Sequence, residues 1–360
     1  MKQKKAQLAI PFHWIFIMIA GAIILLFFIT IVFKQKAVAE EKLSVEILSS
    51  IEEIFAGAGS GEEETIAAIE IPKTELNFIC EEDTGISEYS IKDTGISKQT
   101  PGEIMYSPDI VKGKELVIWS LPFSFPFKIT NLIMVSSSDV RYVFYYGPNS
   151  ESFAEQLALD MPDSLNVDLI REGEPIGDKK NYKVRFIFID VDPTTIDLSS
   201  LKTLNKDVSA VKIESDNVKF YEKKANNFHI MYEFVDPTKA SAIYLPSYNN
   251  KDAMYYGAVF SENPDQYRCN LKKIFKRTEL VAEIYKDRTE ILRQHYPDSS
   301  TELCKYIYPD PNSGPSDFDK LISSANTCFE DLDTCSSVEG SLGIEERNEN
   351  LKGQGCLLIY

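Results

Sequence analysis

The longest uninterrupted apolar stretch of the chain lies near its N-terminus. Residues 10–33, IPFHWIFIMIAGAIILLFFITIVF, contain no side chain that is charged at neutral pH. As a helix this stretch is about 36 Å long at ~1.5 Å per residue, which exceeds the ~30 Å hydrocarbon layer of a bilayer. The pattern therefore predicts a transmembrane helix, preceded by a short basic N-terminus at residues 1–9.

A second helical pattern continues directly from the first. In residues 34–56 apolar side chains recur at the three- and four-residue spacing that places them on one face of a helix. Residues 57–65 are rich in glycine and glutamate and predict a linker, because glycine breaks helices. We expect one rod, membrane-spanning first and amphipathic after, followed by a folded domain at 66–360. The apolar face consists of Leu43, Ile47, Leu48, Ile51, Ile54 and Phe55.

From residue 66 onward the pattern alternates between strands and helices. Helical periodicity predicts a long helix at about 263–295 and shorter helices after RYVFYYG, near 317–330 and near 343–352. Strands followed by helices recur, so we expect an α/β fold, a mixed and partly parallel sheet with flanking helices. The run KELVIWSLPFSFPFKITNLIMV contains two prolines and predicts strand, turn and strand rather than a helix. Further runs rich in β-branched and aromatic residues predict strands at RYVFYYG, KVRFIFIDV, SAVKIES, NVKFYEKK, FHIMYEF and DAMYYGAVFS.

The charge balance limits the classes of partner. The chain has 38 Lys and Arg against 55 Asp and Glu, a net charge of −17. Nucleic-acid binding needs a cationic surface, so we expect no nucleic-acid partner. One basic cluster runs from Lys272 to Arg277, KKIFKR. It could bind an anionic partner, or it could form the solvated or ion-paired face of the long helix.

The cysteines and histidines bear on metal binding and on the compartment. The chain has no Cys-x-x-Cys pair and only three histidines, so we expect no metal site and no cofactor. An even number of cysteines in a domain outside the membrane predicts disulfides, and buried free thiols are the alternative. Cys328 and Cys335 are close enough to close a small loop, and Cys356 could tether the apolar C-terminus. The disulfide candidates are Cys80, Cys269, Cys304, Cys328, Cys335 and Cys356.

The pentapeptide Asp-Thr-Gly-Ile-Ser occurs twice, beginning at Asp83 and at Asp93. Asp-Thr-Gly is also the catalytic signature of aspartic proteases, in which two carboxylates share one proton. Here charged residues precede each copy, and the two copies are too close in sequence to belong to separate lobes. We therefore interpret both copies as turns, in which Asp bonds the backbone ahead and Gly adopts a positive φ.

One apolar strand ends in a pattern found at catalytic sites. The Asp-x-Asp-x-Thr of FIFIDVDPTTI resembles the first motif of haloacid-dehalogenase-type phosphatases. The resemblance implies that Asp190 is the nucleophile, Asp192 the acid/base and Thr194 a phosphate contact, with a magnesium ion to offset the charge. The alternative is a strand end followed by an Asp-Pro turn. The sequence has no Walker loop, nucleophile elbow or zinc-protease motif, which favours a non-catalytic role.

The N-terminal stretch KKAQLAIPFHWIFIMIAG resembles the class III signal of archaeal type IV pilin-like proteins. In that family a membrane peptidase cuts before the Gln, which here implies cleavage between Ala6 and Gln7. The resemblance implies that the rod is an assembly helix, with the lipid bilayer and envelope proteins or other copies as partners. The N-terminal amine tips the balance of positive charge toward an N-inside topology. We therefore expect a single-pass protein of the cell membrane with a large extracytoplasmic domain and a binding, scaffolding or assembly role.

Overall fold

Helices and two β-sheets pack in layers in the computed structural model of this protein. Three residues discussed above, Ala6, Gln7 and Asp83, lie outside the residues that the structure describes. The described residues are 9–82, 84–196, 198, 207–214, 217–235, 253–296, 303–310, 314–332, 335 and 338–360.

The secondary-structure elements of the described residues are numbered in chain order. The helices are α1 (Ala9–Ser60), α2 (Glu151–Asp160), α3 (Ala253–Phe260), α4 (Pro264–His295), α5 (Leu303–Ile307), α6 (Asp317–Glu330) and α7 (Ser341–Gly353). The strands are β1 (Thr65–Glu81), β2 (Ile86–Ile91), β3 (Ile96–Thr100), β4 (Ile104–Tyr106), β5 (Ile110–Ser124), β6 (Lys128–Ser137), β7 (Val140–Tyr146), β8 (Asn166–Arg171), β9 (Lys183–Ile189), β10 (Asp207–Ile213), β11 (Asn217–Lys224) and β12 (Asn227–Val235).

Helix α1 is one continuous rod with two different environments. Between Trp14 and Phe33 its large apolar side chains are exposed, except for the half-buried Ile31, and the helix is long and apolar enough to cross a membrane. Further along, Leu48 and Phe55 are almost completely buried against a sheet. This first sheet, sheet A, has the order β3-β2-β1-β5-β6-β4 and is antiparallel except for the β4–β6 pair.

The rod extends to Ser60, four residues beyond the end expected at residue 56. The reason is tertiary contact at its last turn. The carbonyl of Ala58 accepts hydrogen bonds from the Ser120 hydroxyl at 2.8 Å and from the Asn131 side-chain amide at 2.6 Å. These bonds satisfy an acceptor that the helix end leaves free, and they outweigh the low helix propensity of the neighbouring glycines.

The second sheet, sheet B, carries the parallel strands. Its order is β12-β11-β10-β9-β7-β8, with β8, β7, β9 and β10 mutually parallel and β11 and β12 antiparallel. The predicted mixed, partly parallel α/β fold with flanking helices is therefore confirmed. The chain moves outward from β7 to β8 and then crosses back to β9, so the direction of winding changes between β7 and β9.

Helix α3 lies between the two sheets. It is formed by the run DAMYYGAVFS, which was predicted to be a strand. That prediction is wrong, and the reason is that periodicity cannot assign a short run buried on every side. All of Ala253–Phe260 is buried. The Tyr256 ring meets Trp119 of sheet A at 4.6 Å between centroids, and Phe260 meets Tyr142 of sheet B at 5.2 Å.

The described residues of both Asp-Thr-Gly-Ile-Ser copies form turns, as predicted, but the bond to the backbone ahead is made by threonine. The Thr84 and Thr94 hydroxyls accept hydrogen bonds from the N–H groups of Ile86 and Ile96 at 3.3 and 3.2 Å. Gly85 and Gly95 have φ of +64° and +70°, and the Gly85 N–H donates to the Glu81 carbonyl at 2.8 Å. The turns lie at the two ends of β2, which is about 17 Å long at ~3.3 Å per residue. This separation rules out a shared proton between the two turns.

Candidate functional site

The carboxyl ends of the parallel strands meet at one edge of sheet B. Asp190 directly follows β9, the central parallel strand, and its φ is +57°. The last residue of β9, Ile189, is in register with Tyr146 of β7 and Ile213 of β10. Glu214 therefore follows β10 at the position next to Asp190. Because open α/β sheets bind ligands at this edge, Asp190 occupies the position that the phosphatase resemblance requires.

Asp192 and Thr194 bond each other in a local turn. The Asp192 carboxylate accepts hydrogen bonds from the Thr194 N–H at 3.0 Å and from the Thr194 hydroxyl at 2.8 Å. These two bonds lower the pKa of Asp192, and the positive charges of Lys212 and Lys219 add to the effect. The bond from the Thr194 N–H caps the single turn of 3₁₀ helix that follows. This is the Asp-Pro turn that stood as the alternative interpretation.

The residues at this edge do not fit the magnesium ion that the resemblance implies. Lys212 and Lys219 form ion pairs with Glu214 at 2.5 and 3.0 Å. Burial raises the pKa of Glu214, but these ion pairs outweigh burial and hold the pKa below its usual value. Across the part of the chain that the structure describes, no group of three His, Cys, Asp or Glu side chains is arranged to hold a metal ion.

The six cysteines form three disulfides that tie distant segments together. Cys80 at the end of β1 is bonded to Cys269 of α4, across 189 positions of sequence. Cys304 of α5 is bonded to Cys356, which fixes the C-terminal segment, and Cys328 in the last turn of α6 is bonded to Cys335 beyond that helix. The first bond is the one that matters for site geometry, since it holds α4 against the end of sheet A.

A cleft of about 490 Å³ opens beside this disulfide, between α4 and two turns of sheet A. One turn joins β1 to β2, and the other joins β3 to β4. The basic cluster of α4 begins one helical turn after Cys269 and faces both turns. The cleft is lined by Glu82, Thr84, Gly85, Pro101, Gly102, Ile104, Lys272, Lys273, Lys276, Arg277, Leu280, Val281 and Phe329.

Two of the four cations in the cleft are neutralised by carboxylates. Lys272 forms an ion pair with Glu82 at 2.6 Å, and Lys276 forms one with Glu279 at 2.7 Å. These pairs match the interpretation of the basic cluster as an ion-paired helix face. They account for half of the positive charge, and the other half lies in the remaining two side chains.

Lys273 and Arg277 reach neutral acceptors. The Lys273 ammonium donates to the Ser87 hydroxyl at 2.7 Å and to the Glu103 carbonyl at 3.0 Å. One Arg277 nitrogen donates to the Gly102 carbonyl at 2.8 Å. Burial lowers the pKa of Lys273 to about 8, because a desolvated ammonium is less stable than a hydrated one. The negative charge of Glu103 acts in the opposite direction but does not outweigh burial. A depressed lysine pKa in a concave site is a typical feature of functional positions.

The sequence identified the basic cluster but not the rest of the cleft. Thr84 and Gly85 belong to the first Asp-Thr-Gly-Ile-Ser copy, which the sequence marks only as a turn. The sequence did not show that Cys80 pairs with Cys269, and it is this bond that places the turn beside the basic cluster. Six cysteines allow 15 complete pairings, so spacing alone could not supply it.

Comparisons with protein-family models, with curated proteins and with solved structures find no match to this chain.

Proposed function

We propose that this chain is a single-pass membrane-anchored protein with an extracytoplasmic domain, and that its role there is binding or assembly. The observation that carries this proposal is the continuity of α1. Its first half is exposed and apolar, and its second half is part of the core of the folded domain. A helix of this kind anchors the domain and also holds it in a defined orientation to the bilayer.

The contacts between α1 and sheet A support a rigid connection. The rings of Phe55 and Tyr89 pack edge to face at 5.3 Å, and the Tyr89 hydroxyl donates to the Leu48 carbonyl at 3.5 Å. Outside this core, Glu52 forms an ion pair with Lys98 at 2.7 Å. A rod fixed in this way suits a subunit that assembles through its apolar half, which is the layout that the pilin resemblance implies.

The disulfides support an extracytoplasmic location. Disulfides persist in oxidising compartments and are rare where glutathione keeps thiols reduced. All three bonds lie in the folded domain rather than in α1. This distribution suits an N-inside topology, with the domain on the far side of the membrane.

Intact-mass measurement and non-reducing peptide mapping of the protein from its native membrane test both parts of the proposal. We expect a chain that begins at Gln7, with cystine-linked peptides that match the three bonds. Retention of residues 1–6 in cells that carry the peptidase would reject the pilin-like role. It would not reject the proposal that the domain is anchored to the membrane. Six free thiols would instead reject the extracytoplasmic location.

A phosphatase is the second candidate, and the position of Asp190 at the end of the central parallel strand favours it. The engagement of Asp192 with Thr194 counts against it. The test is hydrolysis of a broad phosphoester panel by the full-length chain, with and without added magnesium. Activity that Asp190→Asn abolishes would establish this candidate, and an inert wild-type chain would remove it.

A further inference from the structure

The cleft beside α4 joins an apolar wall to two cations that form no ion pair among the described residues. Ile104 is buried at its base, Phe329 is half-buried, and Leu280 is 48% exposed at its mouth. Among the described residues, Lys273 and Arg277 hydrogen-bond only to hydroxyl or carbonyl oxygens. The two cations lie one turn apart on α4, so both face the same space.

Both cations keep hydrogen-bond donors for a ligand. An ammonium has three N–H donors, and Lys273 uses two of them. A guanidinium has five donors in a planar fork, and Arg277 uses one nitrogen on the Gly102 carbonyl. The remaining donors suit a carboxylate or phosphate group, which a guanidinium can bind through two parallel hydrogen bonds.

Two cations without an ion-pair partner are unusual in a protein whose net charge is strongly negative. The chain carries a net charge of −17, yet among the described residues neither cation forms an ion pair or a hydrogen bond with a carboxylate. The Glu103 carboxylate is near enough to favour the charged form of Lys273, so it offsets part of that charge without pairing with it. A neutral apolar ligand would desolvate both cations without compensation, which is costly. An inorganic anion would leave the apolar wall exposed to water. A ligand with both features satisfies both surfaces.

We propose that this cleft binds an amphipathic organic anion, with its carboxylate or phosphate on Lys273 and Arg277 and its apolar body against Ile104, Leu280 and Phe329. The volume of about 490 Å³ lies in the range of roughly 300–1,000 Å³ that is typical of small-molecule sites. The site is separate from the apolar half of α1. Its test is therefore independent of the assembly role.

The first experiment compares three probes on the full-length chain in phosphatidylcholine nanodiscs by isothermal titration calorimetry. The probes are 4-phenylbutyrate, its neutral analogue 4-phenylbutan-1-ol, and acetate. We expect 4-phenylbutyrate to bind about tenfold or more tightly than either of the other two, since each lacks one half of the recognition. Equal affinity for the acid and the alcohol would overturn the proposal.

Matched variants locate the binding. Arg277→Gln should weaken 4-phenylbutyrate binding about tenfold, while Arg288→Gln should leave it unchanged. Arg288 is a suitable control because it is also exposed on α4 and also donates to one backbone carbonyl, that of Leu358. Equal effects of the two substitutions would contradict the assignment.

A second pair of variants tests the site independently in case Arg277→Gln fails to fold. Leu280→Glu places a negative charge at the exposed mouth of the cleft, and Ile284→Glu places one on the same helix away from the lining. We expect only Leu280→Glu to abolish binding of 4-phenylbutyrate. If both variants bind it like the wild type, the cleft is not the site.

Nanodiscs of different lipids distinguish two sources of the anion, a lipid headgroup and a free molecule. If the natural ligand is an anionic headgroup, phosphatidylglycerol nanodiscs should weaken 4-phenylbutyrate binding about tenfold at low and moderate salt, by occupying the cleft. Arg277→Gln should remove that competition. If affinity is the same in both lipids and still depends on Arg277, the ligand class is a free amphipathic anion. If the affinity for 4-phenylbutyrate depends neither on the lipid nor on Arg277, the proposal fails.

Discussion

The packing of Phe55 against sheet A leads to the most direct prediction about the rod. Phe55 is 1% exposed and lies edge to face with Tyr89, which is completely buried. Replacing a buried Phe by Ala costs about 3–5 kcal/mol, because the apolar transfer energy is lost and a cavity remains. A domain of ordinary stability has only about 5–15 kcal/mol in total. We therefore expect Phe55→Ala to lower the free energy of unfolding by about 3–4 kcal/mol.

The measurement is urea unfolding of the full-length chain in detergent, followed by the fluorescence of the buried Trp119. The control is Val45→Ala on the same helix, where the side chain is 46% exposed and the expected loss is below about 0.5 kcal/mol. Ile51→Val is a milder core change that should cost about 1 kcal/mol if Phe55→Ala fails to fold. Equal midpoints for Phe55→Ala and Val45→Ala would show that α1 does not dock on sheet A.

Three further predictions concern the folded domain. Arg185→Met should cost at least about 3 kcal/mol in thermal unfolding, because four carbonyls at the end of α3 lose their buried donor, and Arg185→Lys should recover only part of it. Replacing Cys328 and Cys335 by Ser should cost about 2 kcal/mol, as expected for a short loop, and leave two disulfides in the non-reducing map. The ion pair with Lys286 is the main cause that lowers the pKa of Asp319 to about 2. Since an unfolded Asp has a pKa of about 3.9, this stabilisation is complete above pH ~4 and is lost as the pH falls toward 2. The difference in unfolding free energy from Asp319→Asn should be about 1 kcal/mol at pH 7, because Asp319 is 38% exposed and solvent screens the pair.

Local patterns predicted the elements whose signal lies within one segment. The apolar run and the amphipathic repeat predicted α1, the strong periodicity of 263–295 predicted α4, and both short C-terminal helices were expected near their observed positions. The strand run that contains two prolines became β5 and β6, joined by a turn at residues 125–127. These predictions succeed because periodicity and turn residues act over a few positions.

Other parts of the structure could not be predicted because they depend on contacts with residues that are distant in sequence. Helix α3 ends where Arg185 binds its last carbonyls, and that arginine lies on β9, well before α3 in sequence. The phosphatase motif, which stays a prediction, depends on its surroundings in a related way. Asp190 has the expected position, but Asp192 is taken up by its own turn and Glu214 by two lysines. A motif names residue types, and only the surrounding contacts decide whether those side chains are available.

The same long-range contacts connect the rod to the cleft. On β2, Tyr89 packs against α1, and Ser87, two residues earlier and therefore on the same face, accepts a hydrogen bond from Lys273 of α4. On β4, the Asn270 side-chain amide bonds the Met105 backbone in both directions, at 3.0 and 2.7 Å. Together with the disulfide between β1 and α4, these bonds bind α4 to the sheet on which α1 packs. The cleft is thus built on the sheet against which α1 packs rather than on a separate lobe, so its position relative to α1 is fixed by the core itself.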